Sequence, residues 1–121
     1  RRTVAYLRAK GGRVVLMGEI PRFEALPVSC AVAALQSGAD VSACGRPRAE
    51  AARDALASDA LLARIAAADA GGTVVSPAEV MCDSERCAPM KDGVFLYRDP
   101  GHLSAAGSAL LARYLSLPGY D

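Results

Sequence analysis

The chain has 121 residues, room for about one domain of the usual ~100–150 residues. Hydrophobic residues make up 52% against 22% charged, with no tryptophan and 5% aromatics, which excludes a disordered segment and points to a core of Ala, Val and Leu. Fourteen basic and 13 acidic side chains leave a net charge of +1. That is too little for the electrostatic footprint of a nucleic-acid backbone binder, and no apolar run approaches the ~18–20 residues of a membrane span.

Residues 1–10 read as the end of a helix, with Val4, Leu7, Ala5 and Ala9 on its apolar side and Gly11-Gly12 as its stop. This N-terminus has neither the apolar core nor the cleavage site of a signal peptide, and it lacks an initiator Met. The chain is therefore expected to be a processed or excised piece of a longer one. Arg13-Val-Val-Leu-Met-Gly18 has the pattern of a parallel strand covered on both faces. Pro21 ends it, residues 21–29 read as a loop, and Cys30 to Leu35 make a helical turn or two before Gly38.

Pro47 opens a helix that runs to about Asp69, with Ala49, Ala52, Leu56, Ala60, Ala63 and Ala67 on one apolar stripe. Arg46, Arg48 and Arg53 interleave with Glu50 and Asp54, which predicts ion pairs along the helix face. Gly71-Gly72 stops the helix, and Thr73-Val-Val-Ser76 forms a strand leading through Pro77 into an acidic, cysteine-bearing loop. Lys91-Asp92-Gly93 supplies turn chemistry for a short hairpin arm or edge strand, Val94 to Tyr97. A last helix, capped by Ser104, runs through Ala109, Leu110, Leu111 and Tyr114 to Leu115. This helix–strand cadence predicts an α/β layer with a parallel sheet. Phe23, Phe95 and Tyr97 read as packing residues, and Tyr120 is uninformative.

The four cysteines permit disulfides. Cys82 and Cys87 close a short polar loop with little apolar anchorage and are expected to pair. Cys30 and Cys44 have three open fates: pairing with each other, pairing with another part of a longer chain, or burial as free thiols. A zinc site needs close ligand pairs, and a single C-x4-C with one histidine does not supply them, so no metal is expected.

The segment richest in chemistry is Tyr97-Arg-Asp99-Pro-Gly-His102-Leu103-Ser104-Ala-Ala-Gly107, which holds the sole histidine three residues after a carboxylate. In nucleophilic hydrolases and acyltransferases an imidazole takes a proton from a hydroxyl, and a carboxylate fixes its tautomer and stabilises the imidazolium. A D-x-x-H spacing brings both onto one loop, where they are expected to line a cleft within hydrogen-bonding reach of each other. The start of the following helix disfavours a positive imidazole. The competing reading is an ordinary Asp-Pro-Gly turn with His102 bonded to a carbonyl. Glu19 and Arg22 flank the Ile-Pro corner and read as solvated loop charges, with a place lining a substrate cleft as the alternative.

Tyr-x-Asp-x-x-His-Leu-Ser-x-x-Gly resembles the last motif of SGNH (GDSL-type) hydrolases, especially the SGNH domains fused to the membrane acyltransferase-3 module of bacterial surface-polysaccharide O-acyltransferases. The likeness extends to Val14-Val-Leu-Met-Gly-Glu-Ile20-Pro21, to Pro27-Val-Ser-Cys30, and to the cysteine loop before Gly-x-x-x-Tyr, from Cys82 to Tyr97. It implies a three-layer α/β/α, flavodoxin-like parallel sheet, of which residues 1–121 are the C-terminal portion. It also implies His102 as general base and Asp99 as the carboxylate that orients it, with no cofactor.

The family's Gly-Asp-Ser nucleophile motif and its Gly and Asn oxyanion blocks are absent. None of Ser29, Ser37, Ser42, Ser58, Ser76, Ser84, Ser104, Ser108 and Ser116 has the Gly-Asp context. The resemblance therefore implies a missing N-terminal segment that carries Ser, Gly and Asn. The completed domain would transfer or hydrolyse an O-acyl group, acetyl first, on a cell-surface glycan such as lipopolysaccharide. Its location would be periplasmic, tethered to the inner membrane through the acyltransferase domain. The alternatives are an inactive truncated remnant, a non-catalytic α/β binding or interaction module, and a small cysteine-stapled structural domain.

Overall fold

The computed structural model describes residues 2–68 and 72–115. The expected helix end at Asp69 and Gly71, and the positions of Ser116 and Tyr120, lie outside them. Helix α1 (Arg2–Ala9) stops where Gly11 takes φ 80° and the Gly12 N–H reaches back to Leu7 O at 3.0 Å, a left-handed ending that glycine adopts without strain. Of its expected apolar side Val4 alone is buried, while Leu7 is 45% exposed.

Strand β1 (Val15–Met17) is followed by α2 (Pro27–Ser37), a 3₁₀ turn at Val41–Cys44, β2 (Arg46–Pro47), α3 (Arg48–Ala51) and α4 (Arg53–Ala68). The chain then returns as β3 (Thr73–Val75), parallel to β1, with Val15 opposite Thr73 and Met17 opposite Val75. Parallel neighbours need such a long helical crossover because both strands start from the same end. α4 packs against the pair, yet Met17 stays 53% exposed, so β1 is not covered on both faces as expected.

The remainder is α5 (Pro77–Met81), β4 (Arg86–Cys87), β5 (Met90–Lys91), β6 (Val94–Phe95), β7 (Tyr97–Asp99), β8 (His102–Leu103) and α6 (Ala105–Tyr114). β2–β4, β5–β6 and β7–β8 are short antiparallel pairs. The α/β class thus holds, with the parallel sheet represented among the described residues by one pair of strands.

Several local expectations change. α2 begins at Pro27, inside the expected loop, because proline fits the first turn of a helix whose N–H groups have no partner. Ser76-Pro77 starts α5 in the same way, where a loop was expected. The helix after Pro47 is broken at Ala52 (φ −101°, ψ 3°), although N–H bonds from Ala52 to Arg48 O and from Leu56 to Ala52 O span the break. Its buried seam runs through Ala51, Ala52, Ala55 and Ala66, whereas Ala49, Leu56, Ala60, Ala63 and Ala67 are exposed. A methyl group buries little apolar area, so an alanine stripe carries too little transfer energy to choose the face. The face is chosen by what α4 packs on.

The core gathers Phe23, Ala51, Ala55, Met81, Cys87, Leu96, Tyr97 and Leu110. Cys82 and Cys87 are bonded, as expected, but Cys87 is fully buried in this core rather than poorly anchored. Cys30 and Cys44 are bonded to each other, Cα to Cα 5.7 Å, tying α2 to the 3₁₀ turn. Asp92 (φ 50°) and Gly93 (φ 76°) form the left-handed turn between β5 and β6. The expected arm Val94 to Tyr97 is split at Leu96 between two strand pairs.

Candidate functional site

The Asp99–His102 segment is a hairpin turn held from both ends. On the entering side, Tyr97 is 1% exposed and donates its hydroxyl to Pro21 O at 2.9 Å. Its ring meets Phe23 edge-on at 4.9 Å, and burial pushes the phenol well above its usual titration range. The Phe23 N–H donates to Pro100 O at 2.9 Å, inside the turn itself. On the leaving side, the Ser104 N–H donates to Leu96 O at 2.9 Å. The Ser104 hydroxyl accepts from the Gly107 N–H at 2.8 Å and donates to Phe95 O at 2.7 Å. Ser104 is thus the cap of α6, as expected, with its hydroxyl committed to backbone partners.

Between these anchors β7 and β8 pair Asp99 with His102 across Pro100-Gly101, after an irregularity between Tyr97 and Asp99. Directly opposed residues project from the same face of a strand pair, so the two side chains meet. His102 Nδ1 lies 2.9 Å from Asp99 Oδ1 and 3.0 Å from Oδ2. His102 therefore stands on a short strand, with α6 starting only at Ala105.

Asp99 Oδ1 also accepts the Gly101 N–H at 3.0 Å, and Arg98 Nε lies 3.4 Å from Oδ2. The Gly101 bond first, and the His102 bond second, hold the carboxyl below its ordinary range. An ionised carboxylate only accepts, so Nδ1 carries a proton, and in the neutral imidazole it is Nε2 that keeps the lone pair. Nε2 has no partner among the described residues. The side chains are 69% exposed at His102 and 40% at Asp99.

Two cavities are lined by described residues. One, of about 230 Å³, is lined by Val80, Met81, Cys82, Arg86, Met90 and Lys91. The other, of about 280 Å³, is lined by Phe23, Glu24, Pro27, Cys30, Cys44 and Arg46. Neither includes Asp99 or His102, which stand on the open hairpin, but the second is lined in part by Phe23, the residue that holds Pro100.

The charges near the Ile-Pro corner are arranged differently from expectation. Arg46 bonds Glu24 at 2.9 Å and Glu50 at 3.2 Å, and Glu50 is the partner expected along the helix. Arg48 instead reaches across to Glu79 of α5 and to Asp83 O, while Arg53 and Asp54 form no ion pair among the described residues. Glu19 and Arg22 are exposed. Arg22 Nε lies 4.0 Å from where a Cβ on Gly101 would stand, which places the guanidinium against the turn.

Sequence reasoning missed Asp59, whose Oδ2 accepts the Ser76 hydroxyl at 2.5 Å just past the end of β3. Its Oδ1 is buried without a partner, and a Cβ on Gly18 would fall 1.7 Å from it. No local motif announces this contact, because 17 residues separate Asp59 from Ser76.

A family model described as the SGNH domain (fused to AT3 domains) matches residues 1–116. No curated protein and no solved structure matches the chain.

Proposed function

The chain belongs to the SGNH domains fused to AT3 domains, and from that membership we propose that it supplies the base and orienting carboxylate for serine-ester chemistry. The family itself implies hydrolase or acyltransferase chemistry and a membrane-tethered parent protein. No helix among the described residues is long and apolar enough to cross a membrane. The finer reading is transfer or hydrolysis of an O-acyl group, acetyl first, on a bacterial cell-surface glycan. The site would face the periplasm, and the AT3 domain would be its membrane partner.

The carrying observation is the bond from His102 Nδ1 to the Asp99 carboxylate, which leaves Nε2 as the basic atom. In the reading proposed, Nε2 takes the proton of a serine hydroxyl as its oxygen attacks the ester carbonyl. The same nitrogen returns the proton to the departing alkoxide, leaving an acyl-serine that water or an acceptor hydroxyl then cleaves through the same proton relay, and Asp99 stays ionised throughout, stabilising the imidazolium. Exposure of the imidazole suits a partner group arriving from outside these residues. The hydroxyl of Ser104 is not that nucleophile, since it caps α6. The nucleophile and the Gly and Asn oxyanion donors are assigned to a segment outside the 121 residues.

Release of acetate from an acetyl ester tests this. The natural full-length protein is expected to turn the ester over, with His102→Ala lowering kcat by about 10²–10⁴-fold. The 121-residue chain alone is expected to be inactive, with activity returning on co-expression of the upstream segment. Turnover by the chain alone that survives His102→Ala would overturn the reading.

A further inference from the structure

We propose that Arg22 binds an oxyanion on the acyl-bearing glycan, so that the Asp99–His102 site acts on acidic sugars. The inference rests on the ester chemistry proposed above and adds the substrate class.

Three observations carry it. First, Arg22 is presented to the turn by a clamped backbone. Its N–H donates to Ala51 O at 2.8 Å and its carbonyl accepts Arg46 Nη1 at 3.3 Å. Pro21 before it is fully buried under the Tyr97 hydroxyl, and Phe23 after it holds Pro100. The backbone at Arg22 is therefore held, and its Nε lies against the turn where Gly101 has no side chain.

Second, the neighbouring cations are already matched. Arg46 is held by Glu24 and Glu50, and Arg98 lies against Asp99, whose oxygens also serve His102 and the Gly101 N–H. Arg22 forms no side-chain hydrogen bond or ion pair among the described residues. An exposed guanidinium without a carboxylate, on a held backbone beside the turn that carries Asp99 and His102, is suited to an incoming oxyanion. Its planar fork matches a carboxylate or phosphate through two parallel hydrogen bonds. Third, the cavity of about 280 Å³ is lined in part by the next residue, Phe23, together with Glu24, Pro27 and Arg46, so it lies beside the segment that carries Arg22.

The test uses the natural full-length protein and three acetyl esters: an acetylated methyl glucoside, its uronic-acid counterpart and its 6-phosphate. The expected result is a kcat/KM ratio of charged to neutral ester of about tenfold or more, carried mainly by KM. The ratio shrinks at about 0.5 M salt, as screening of an exposed pair requires. Arg22→Gln brings the ratio close to one, and Arg22→Lys keeps part of it. The two charged esters distinguish a carboxylate from a phosphate.

A wild-type ratio near one overturns the inference, as does an Arg22→Gln ratio equal to wild type or a loss of the same size on all three esters. If His102→Ala leaves acetate release intact, the ester reading fails instead. Arg22 is then judged by binding of unreactive methyl glucuronide, followed through the Gly101 amide resonance. A shift seen in wild type and lost in Arg22→Gln supports the oxyanion site; equal shifts, or none, refute it.

Discussion

Gly107→Ala sets two opposed effects against each other. Gly107 lies inside α6, where alanine is favoured by about 1 kcal/mol on helix propensity alone. In this fold, however, a Cβ at position 107 would stand 2.2 Å from Leu96 O and 2.8 Å from both Leu96 C and Cα. These are backbone atoms, so no rotamer relieves the overlap, and reaching ordinary contact needs a shift of about 1 Å. Overpacking of this kind costs about 1–3 kcal/mol, with a backbone obstacle at the upper end.

The atom struck is also the acceptor of the Ser104 N–H, and disturbing that buried bond adds about 1–3 kcal/mol. After subtracting the propensity gain, the net loss is about 3–5 kcal/mol, or about 12–20 °C in Tm for a domain of this size. Urea and thermal unfolding followed by circular dichroism measure it, with Gly107→Ser as a second variant expected to lose at least as much. A Gly107→Ala protein as stable as wild type would show that α6 does not sit against Leu96 as described.

Tyr97→Phe removes the hydroxyl bonded to Pro21 O and leaves a buried carbonyl unpaired, so unfolding is expected to become easier by about 1–3 kcal/mol. Because burial raises the Tyr97 phenol in the folded state, its contribution is complete below the ordinary value of 10.0 and is lost as pH rises beyond it. Wild type should therefore lose stability above pH 10.0 more steeply than Tyr97→Phe in pH-dependent denaturant melts. Asp99 is held below the ordinary carboxylate value of 3.8, so its ionised form is complete above that pH and is lost only as pH falls through the lower folded value. Carbon-detected NMR should show this, with His102→Ala recovering part of the shift, since the Gly101 N–H is the larger cause; full recovery would reassign it. Cys30 is exposed and Cys87 fully buried, so mild reductant with alkylation and mass analysis should open Cys30–Cys44 before Cys82–Cys87. Replacing both Cys30 and Cys44 by Ala is expected to cost about 3 kcal/mol from the closed loop alone.

Features governed by neighbours in sequence were legible from the chain itself. Gly11-Gly12 stops α1, Asp92-Gly93 turns between β5 and β6, and Ser104 caps α6, because each depends on a backbone dihedral or a bond within a few residues. The Cys82–Cys87 loop and the α/β class were legible for similar reasons, as were Asp99 and His102 as a pair to examine, three residues apart across a Pro-Gly turn.

The tertiary structure decided whatever depends on which surfaces touch. It turned α4 by its packing partner rather than by its alanines, paired Cys30 with Cys44, and sent Arg48 to Glu79 instead of along its own helix. It joined Tyr97 to Pro21 across 76 residues, and so set Arg22 against Gly101. A turn or cap is chosen among a few local conformations, each visible in the residues that make it. A contact between distant segments is chosen by the packing of the whole chain, and no stretch of sequence carries that choice alone.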